Sequence, residues 1–398
     1  MQSRRRGAAA WNRRRDGELV PGHERHDRVE AIQRGLTRAG ARISEVSVEP
    51  AQVRAALHAI HDPVYLEFLE RTSATLGRGE QRFYEEWSPP GLAVDTPLFR
   101  GAFSVAEDGV RTALGAAALV ANGTGAAYAI CRPPGHHAGP SWLGGYCYLN
   151  NAAAAAWLLR EAGARVVILD LDFHLGHGTA AIAGDMPGIR YVSFHASERS
   201  YYPWIASEPP SQSTWISYPQ APSEDELVDD VEAAVVEHAA DSDAVVVSVG
   251  FDIVRDDPHG GWDCEPAVFE SIGRVLASRE LPLCLVQEGG YAIELLEECA
   301  FRLGRGLVSD PLQPLRDRLD VVDEQILTAL AERFDLCRSI GRVKRDERIP
   351  IMQEHRLAAV RAHYASAVER GVPRDFVDAF FDLVTSAACR VEEEVLGS

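Results

Sequence analysis

The sequence has 398 residues, of which 46% are hydrophobic and 25% are charged. This composition is typical of a globular chain with a large core, and the length predicts more than one domain. The 59 acidic and 40 basic residues give a formal net charge of -19, which would repel nucleic-acid phosphates and anionic membrane surfaces. We therefore expect neither a nucleic-acid partner nor a membrane partner.

The cysteines and the N-terminal stretch bear on the compartment. The seven cysteines are widely spaced and form no Cys-x-x-Cys pair, so we interpret them as reduced, buried thiols of a cytoplasmic protein. No apolar run reaches transmembrane length. The first residues, "MQSRRRGAAAWNRRRD", are basic but no apolar signal-peptide core follows them. Residues 1–16 are predicted to be a disordered tail or to precede the true start, and an anion-binding segment is the alternative.

Residues 17–308 alternate apolar, β-rich runs with alanine-rich helical stretches such as "NNAAAAAWLLREAG". This alternation predicts an α/β domain with a layered parallel sheet. Each run ends in polar or glycine-rich residues. Because ligands of open α/β sheets lie beyond the carboxyl ends of the strands, these ends are expected to meet at one crevice. The runs are "GAAYAICRPPGHH", "RVVILDLDFH", "IRYVSFHAS", "DAVVVSVGFD" and "PLCLVQEGGY".

Acidic and histidine side chains alternate where the second run ends, in "LDLDFHLGHG". Asp170, Asp172 and His174 share one direction for as long as the extended geometry persists. Asp172 and His174, with Asp252 from the end of another strand, have the ligand types and the number of a catalytic zinc with an open fourth position. Zinc held in this way polarises a carbonyl and lowers the pKa of water. A solvated strand end is the alternative interpretation.

The other strand ends carry groups that a hydrolysis needs. His136 and His137 follow the rigid "RPPG" turn and can act as general base and general acid, because imidazole titrates near neutral pH. Tyr291 follows two glycines, and its hydroxyl can stabilise a developing oxyanion. Each feature alone is usually structural, but their joint occurrence at strand ends indicates an active site.

An ordered set of motifs makes residues of about 17 to 308 resemble the zinc-dependent histone deacetylase and acetylpolyamine amidohydrolase superfamily. The resemblance implies an arginase/deacetylase-like open parallel sheet with helices on both faces. It also implies zinc bound by Asp172, His174 and Asp252, with His136 and His137 flanking the metal water and Tyr291 polarising the amide carbonyl. The motifs are "RPPGHHA", "GGYCYLNNAA", "LDLDFHLGHGT", "VSFHAS", "GFDIVRDDPHGG" and "QEGGY".

The same resemblance implies supporting roles around this centre. A charge relay would pair His136 with Asp170, and Tyr146 would line the acyl-side tunnel. Asp95, in "VDTPL", resembles the acid at the rim that grips the substrate. Backbone atoms around residues 170–174 and 193–194 resemble the potassium site of the family.

One position departs from the family pattern. The usual carboxylate or amide partner of His137 is replaced by His177. An imidazole cannot stabilise an imidazolium as a carboxylate would, so His137 is expected to stay neutral longer. We interpret this as altered base catalysis rather than as an inactive site, because every metal-site residue is present. Arginase, the rival with the same fold, is not indicated, since its Asp-x-His-x-Asp motifs for two manganese ions are missing.

Residues 311–398 show a helical rather than an α/β pattern. A first helix is predicted from about 311 to 345, ending before Pro350. A second helix is expected to run to about residue 370, and a third to follow the "GVP" turn. Three helices of this kind are typical of a dimerisation module, so we expect a homodimer. The apolar residues that recur at three and four positions are Leu315, Leu319, Val322, Ile326 and Leu330.

This segment resembles the all-helical chorismate mutase family through "LRDRLDVVDEQILTALAERFDL", "IGRVK" and "PIMQEHR". Arg333 and Lys344 share one helix face, whereas Arg316 lies about 100° away; in the family the first arginine reaches the pocket of the partner subunit. The resemblance implies that Arg316 and Arg333 clamp two substrate carboxylates. Lys344 and Glu392 would face the ether oxygen, and Arg356 would support the pocket.

Two positions of this segment differ from that family. Gln353 and Leu357 replace acidic residues that recognise the ring hydroxyl. This leaves open whether the substrate is chorismate or an analogue such as 4-amino-4-deoxychorismate.

The sequence thus predicts a bifunctional enzyme: a zinc-dependent deacetylase that hydrolyses an N-acetyl amide, joined to a chorismate mutase-like activity. A deacetylase whose helical domain only dimerises the chain is the first alternative, and a metal-binding sensor without turnover is the second. Fusion to a shikimate-derived activity suggests a small N-acetylated aromatic amine as substrate. Acetyl-lysine and acetylpolyamines remain alternatives.

Overall fold

The computed structural model describes residues 12–15, 18–89, 94–239, 241–308 and 313–397. The chain divides into two units, Met1–Ser309 and Asp310–Ser398. In the described part of the chain, no helix has the length and apolar character needed to cross a membrane. All seven cysteines are unpaired, and six of them are buried.

The first unit contains ten strands and nine α-helices within the described ranges. It also contains a 3₁₀ turn, Glu85–Trp87. The strands are β1 (Asn12–Arg15), β2 (Glu18–Pro21), β3 (Gln81–Arg82), β4 (Leu98–Phe99), β5 (Ala126–Ala129), β6 (Val166–Asp170), β7 (Ile189–Ala196), β8 (Ser213–Tyr218), β9 (Ala244–Val249) and β10 (Leu283–Gln287). The helices are α1 (Asp27–Arg38), α2 (Pro50–Ile60), α3 (Pro63–Thr75), α4 (Ala102–Ala121), α5 (Asn151–Glu161), α6 (His177–Gly184), α7 (Glu224–Ala239), α8 (Val268–Ala277) and α9 (Ile293–Val308).

Six parallel strands form the central sheet in the order β5-β10-β9-β6-β7-β8. The predicted open parallel sheet is therefore confirmed, and five of its strands coincide with the five predicted runs. The sixth, β8, was not predicted. Its sequence, "STWISY", is short and serine-rich, and such composition favours a loop assignment.

The start of the chain differs in part from the predicted disordered tail. Residues 12–15 form β1, which pairs antiparallel with β2. Regular backbone hydrogen bonds between the two strands order this segment despite its run of arginines. Residues 1–11 and 16, the rest of the predicted tail, lie outside the described residues.

Alternation of side chains along the strands builds one core on each face of the sheet. In β6, Val166 and Ile168 belong to the core on the side of α4 and α5. Val167 and Leu169 belong to the opposite core, on the side of α8 and α9. Burial of each such side chain contributes about 1.5–3 kcal/mol. The two faces together hold β6 rigidly, and with it the polar residues at its end.

The strand order changes direction beside β6. From β6 the chain adds β7 and β8 on one side and then returns to place β9 and β10 on the other. Open α/β sheets form a crevice at such a point. Asp170 is the last residue of β6, and Asp252 follows β9 by three positions, so their carboxylates lie at this crevice.

A buried histidine supports the start of α5 beneath this crevice. His61 accepts a hydrogen bond at Nε2 from the Asn150 backbone N–H (3.0 Å), and its Nδ1 therefore donates to the Gly139 carbonyl (2.8 Å). The Asn150 side chain in turn caps α5 by accepting from the Ala153 N–H (2.9 Å). These two hydrogen bonds require the neutral form of the His61 ring.

The described residues of the second unit form three α-helices, as predicted. The long first helix packs mainly against the last. Cys337 of the first helix and Phe381 and Val384 of the last are buried. The middle helix buries no side chain. The helices are α10 (Gln313–Glu347), α11 (Glu354–Ala365), which a 3₁₀ turn at Ser366–Arg370 follows, and α12 (Arg374–Gly397).

We predict that acid destabilises the first unit through His61. Burial lowers the pKa of His61 to about 4, below its ordinary value of about 6.5. The stability that the neutral ring provides is complete above about pH 6.5 and is lost as the pH falls toward 4, with a slope of up to about 1.4 kcal/mol per pH unit. The measurement is the free energy of unfolding between pH 7 and 4.5.

The conservative variant His61→Gln keeps a donor and an acceptor but does not titrate, so its stability should fall less steeply with acid. His58→Gln, at an exposed histidine of α2, is the matched control and should keep the wild-type slope. Equal slopes for His61→Gln and the wild type would contradict the prediction.

Candidate metal centre and active site

Asp172, His174 and Asp252 come together at the carboxyl ends of β6 and β9. One potential ligand atom from each lies within 4.8 Å of the others. His174 Nδ1 lies 3.3 Å from Asp172 Oδ1 and 3.1 Å from Asp252 Oδ2. Both aspartates are buried, and His174 is partly exposed toward a cavity. The three side chains that the sequence predicts as ligands therefore converge on one point.

Backbone groups orient the two carboxylates. Asp172 accepts hydrogen bonds from the N–H groups of His174 (3.0 Å) and Gly289 (2.8 Å). Asp252 accepts one from Phe173 (3.0 Å). A Cβ atom at position 289 would lie 2.5 Å from Asp172 Oδ2 and 2.7 Å from Asp252 Oδ2, so only glycine lets the end of β10 approach this closely.

A second layer of buried acids holds His136. Asp170 Oδ2 lies 3.1 Å from His136 Nδ1, as the predicted pairing requires, and also accepts from the Tyr191 hydroxyl (2.7 Å). Glu288 accepts from the backbone N–H groups of Gly135 (2.6 Å) and His136 (3.0 Å). These bonds fix both the ring and the backbone of His136.

The electrostatic environment of the site shifts the pKa values of the two adjacent histidines in opposite directions. Burial works against a charge on His136, but the Asp172 and Asp170 carboxylates outweigh it and raise its pKa to about 10. Burial and then the His136, His177 and His174 rings hold the pKa of His137 well below its usual range. Burial and the nearby Asp172 charge raise the pKa of Asp252 to about 7. A cation among these carboxylates would relieve this strain by stabilising both as anions.

His177 occupies the place beside His137, and it supplies no carboxylate. The two ring centroids are 5.3 Å apart, and His177 lies parallel to the Trp142 ring. Among the described residues no side chain pairs with His137 Nδ1 or with either ring nitrogen of His177. Burial, together with the charge of His136, lowers the pKa of His177 to about 3, so this ring is neutral.

Arg28 of α1 holds the backbone that carries Tyr291. Its guanidinium donates to the carbonyls of Glu288 and Gly290, each at 2.6 Å, and lies 4.5 Å from the Tyr291 ring centroid. Glu24 forms buried ion pairs with Arg28 (3.3 Å) and Arg132 (3.0 Å). Burial raises the pKa of Tyr291 well above its ordinary value, so its hydroxyl remains a hydrogen-bond donor.

The three candidate metal ligands lie at the buried end of a cavity of about 430 Å³. Tyr146 and Asp95, both predicted to contact substrate, line it. Asp95 accepts from the Gly145 N–H (3.1 Å) and from the Thr96 hydroxyl (2.8 Å), so it also holds the loop that carries Tyr146. The other lining residues are Pro134, His136, His137, Gly145, Asp172, His174, Ser200, Tyr201, Tyr202, Trp204, Asp252, Pro258, His259, Gly289 and Tyr291.

The chain belongs to the histone deacetylase family: the model of the histone deacetylase domain matches residues 22–307. An acetylpolyamine amidohydrolase of Burkholderia pseudomallei (strain 1710b) is 37% identical over 275 residues, which are 61% of this chain and 80% of that protein. One from Mycoplana ramosa is 31% identical over 310 residues, 70% of this chain and 89% of its own. A crystal structure of the Burkholderia pseudomallei acetylpolyamine aminohydrolase aligns with a TM-score of 0.68 at 32% identity, covering 75% of this chain and 95% of that one.

The second unit matches the model of chorismate mutase type II over residues 315–393. Of its predicted site residues, Lys344 and Glu392 lie together, with Nζ and Oε2 2.7 Å apart. Arg333 is half-buried, with Nη1 3.8 Å from the Cys337 sulfur.

The remaining predicted residues of this unit are Arg356, Gln353 and Arg316. Arg356 is exposed and Gln353 precedes the first turn of α11. The side chain of Arg316 lies outside the described residues.

Several residues that shape the first site carry no recognisable signal in the sequence. Glu24 and Arg28 are four positions apart, a spacing that usually signals an exposed helical pair, so nothing marked them as buried. Asp257 binds the backbone N–H groups of Tyr291 (2.6 Å) and His259 (2.9 Å), and it lies within a quoted motif. Trp204 follows no recognisable pattern.

We predict that the first unit binds one divalent transition-metal ion per chain at Asp172, His174 and Asp252. Loss of an outer-shell partner typically lowers metal affinity by 10–100-fold, so Asp252→Ala should lower it by more than about a hundredfold. Asp243→Ala, at an exposed aspartate, is the control and should bind normally. Equal metal content of both variants after dialysis, measured by mass spectrometry, would contradict the prediction.

Proposed function

We propose that the first unit is a zinc-dependent deacetylase that hydrolyses an N-acetyl amide. The observation that carries the proposal is the convergence of Asp172, His174 and Asp252 at the floor of a cavity that His136, His137 and Tyr291 also line. Membership of the histone deacetylase family supports the reaction class. A sensor without turnover would not need two histidines and a tyrosine hydroxyl at the same point.

The ligand set fits zinc. Two carboxylates and one imidazole are ligand types that Zn²⁺ accepts, and three protein ligands leave a position open, as in catalytic zinc sites. Zinc bound there would act as a Lewis acid toward the amide carbonyl and would lower the pKa of water. Potassium at the backbone around residues 170–174 and 193–194 remains a prediction from the family resemblance.

The residues of the chain supply the proton transfers and the oxyanion donor. One of His136 and His137 takes the proton of the attacking water, and the pair returns a proton to the amine nitrogen as the C–N bond breaks. The Tyr291 hydroxyl, kept protonated by burial, donates a hydrogen bond to the oxygen where negative charge develops. Acetate and a free amine leave the site.

We predict that Tyr291→Phe lowers kcat for deacetylation by about 10²–10³-fold, because one oxyanion donor is lost, while metal content stays unchanged. Tyr364→Phe in the second unit is the control. Acetate release should be measured on zinc-loaded protein with an acetyl-lysine peptide, an acetylpolyamine and an N-acetyl arylamine. If the wild type releases no acetate from any of the three, the deacetylase proposal fails.

For the second unit we propose a chorismate mutase-like rearrangement of chorismate or an analogue such as 4-amino-4-deoxychorismate, carried out by a homodimer. Supporting observations are the Lys344–Glu392 pair and the family match. The apolar side chains that α10 exposes support dimerisation, because a second copy would cover them. They include Leu319, Val322, Ile326, Leu336, Ile340 and Val343.

We predict that Arg333→Ala lowers the rate of this rearrangement by about a hundredfold, as expected when charge-assisted hydrogen bonds worth about 3 kcal/mol are lost. The dimer, followed by sedimentation, should persist. Arg338→Ala, at an exposed arginine on the same helix, should change neither property. If the wild-type dimer converts neither substrate, the helical unit is a dimerisation module instead.

A further inference from the structure

The cavity has a closed floor and an open mouth, which fixes the direction of a bound amide. Asp172, His136 and Asp252, at the floor, are at most 2% exposed. At the mouth, Trp204 is 56% and Tyr201 41% exposed. An N-acetyl group placed at the metal ligands therefore directs its amine substituent toward the two exposed aromatic residues.

Aromatic rings wall the path from the floor to the mouth. On one side Tyr202 packs edge-on against both His137 (4.6 Å between centroids) and Trp204 (5.4 Å). On the other side His259 packs edge-on against Tyr291 (4.8 Å) and Tyr146 (5.7 Å). Edge-to-face contacts of this kind hold the rings at fixed angles to one another, so both walls present aromatic surface to the amine substituent.

The His259 wall is held in place from behind, and Trp204 extends from a turn. His23 Nδ1 lies 2.9 Å from His259 Nε2, which fixes the imidazole against Tyr146. Trp204 has a left-handed backbone conformation (φ 52°), so its ring projects at the mouth from a turn rather than from a regular element.

The cavity offers few carboxylates to a cationic amine. Among the described residues three carboxylates line it, and Asp172 and Asp252 are the candidate metal ligands. Asp95 already accepts from the Gly145 N–H and the Thr96 hydroxyl. A polyamine carries ammonium groups beyond its acetylated nitrogen, and buried ammonium groups need acidic partners. The path toward the mouth provides rings in their place.

From these observations we infer that the substrate is an N-acetyl arylamine and that Trp204 determines this specificity by stacking on the aromatic ring of the amine. This inference rests on the proposed deacetylase function and names its substrate class.

The test compares three N-acetyl amides on zinc-loaded full-length protein. Acetanilide carries a ring, N-acetylbutylamine is a neutral chain of similar length, and N-acetylputrescine carries an ammonium group. We expect kcat/KM to be highest for acetanilide by at least about tenfold. Trp204→Ala should lower kcat/KM for acetanilide by about tenfold, mostly through KM. It should change the value for N-acetylbutylamine by less than about threefold.

Trp204→Phe is the matched variant, because it keeps a ring at the mouth, and it should retain most of the activity toward acetanilide. Metal content and thermal unfolding of both variants would show that the fold is intact. Preference for N-acetylputrescine, or an equal loss for it in Trp204→Ala through a cation–π contact, would overturn the inference while leaving the deacetylase proposal in place. If no substrate is hydrolysed, the proposed function fails first.

Discussion

The rest of the first unit depends on the burial of three carboxylates, Asp170, Asp172 and Asp252, at the ends of two neighbouring strands. Burying unpaired charges of one sign is costly, and here donors surround each group: the Tyr191 hydroxyl for Asp170, and backbone N–H groups for the other two. The remaining negative charge matches a divalent cation. The glycines after β9 and β10 follow from the same constraint, since a side chain there would occupy the space of the carboxylates.

The constraint extends from the carboxylates to the N-terminal helix. Arg28, fully buried, uses two of its donors on the carbonyls of Glu288 and Gly290, and Glu24 balances its charge. Breaking one member of such a buried set is far more damaging than its net contribution suggests, because the other charges lose their partners. The position of Tyr291 therefore depends on a residue that lies more than 200 positions earlier in the chain.

The sequence predicted those elements in which a pattern of functional residues coincides with a local hydrophobic pattern. The buried strands are uninterrupted apolar runs, so β6, β9 and β10 were predicted with the polar residues at their ends. The first helix of the second unit follows from its apolar repeat, and the other two from the breaks at Pro350 and the "GVP" turn. The strand β8 was not predicted because its serine-rich sequence is typical of a loop. Arg28 and Trp204 could not have been found, because their roles come from partners that are remote in the chain, and a lone arginine or tryptophan carries no spacing signal. The roles of the site residues stay predictions from chemistry and family resemblance.

In the first unit the main energetic cost is buried charge, whereas in the second unit it is exposed apolar surface. Its long helix leaves a row of apolar residues, Val322, Ile326, Ile340 and Val343 among them, exposed to water, and α11 buries no side chain at all. Fully burying an exposed side chain of this kind contributes about 1.5–3 kcal/mol, so covering the row favours association. If the proposed dimer forms through this row, the pocket around Lys344 and Glu392 is completed by association, whereas the metal centre of the first unit is complete within one chain. Dilution to monomers would then separate the two proposed activities, since only the second depends on the partner.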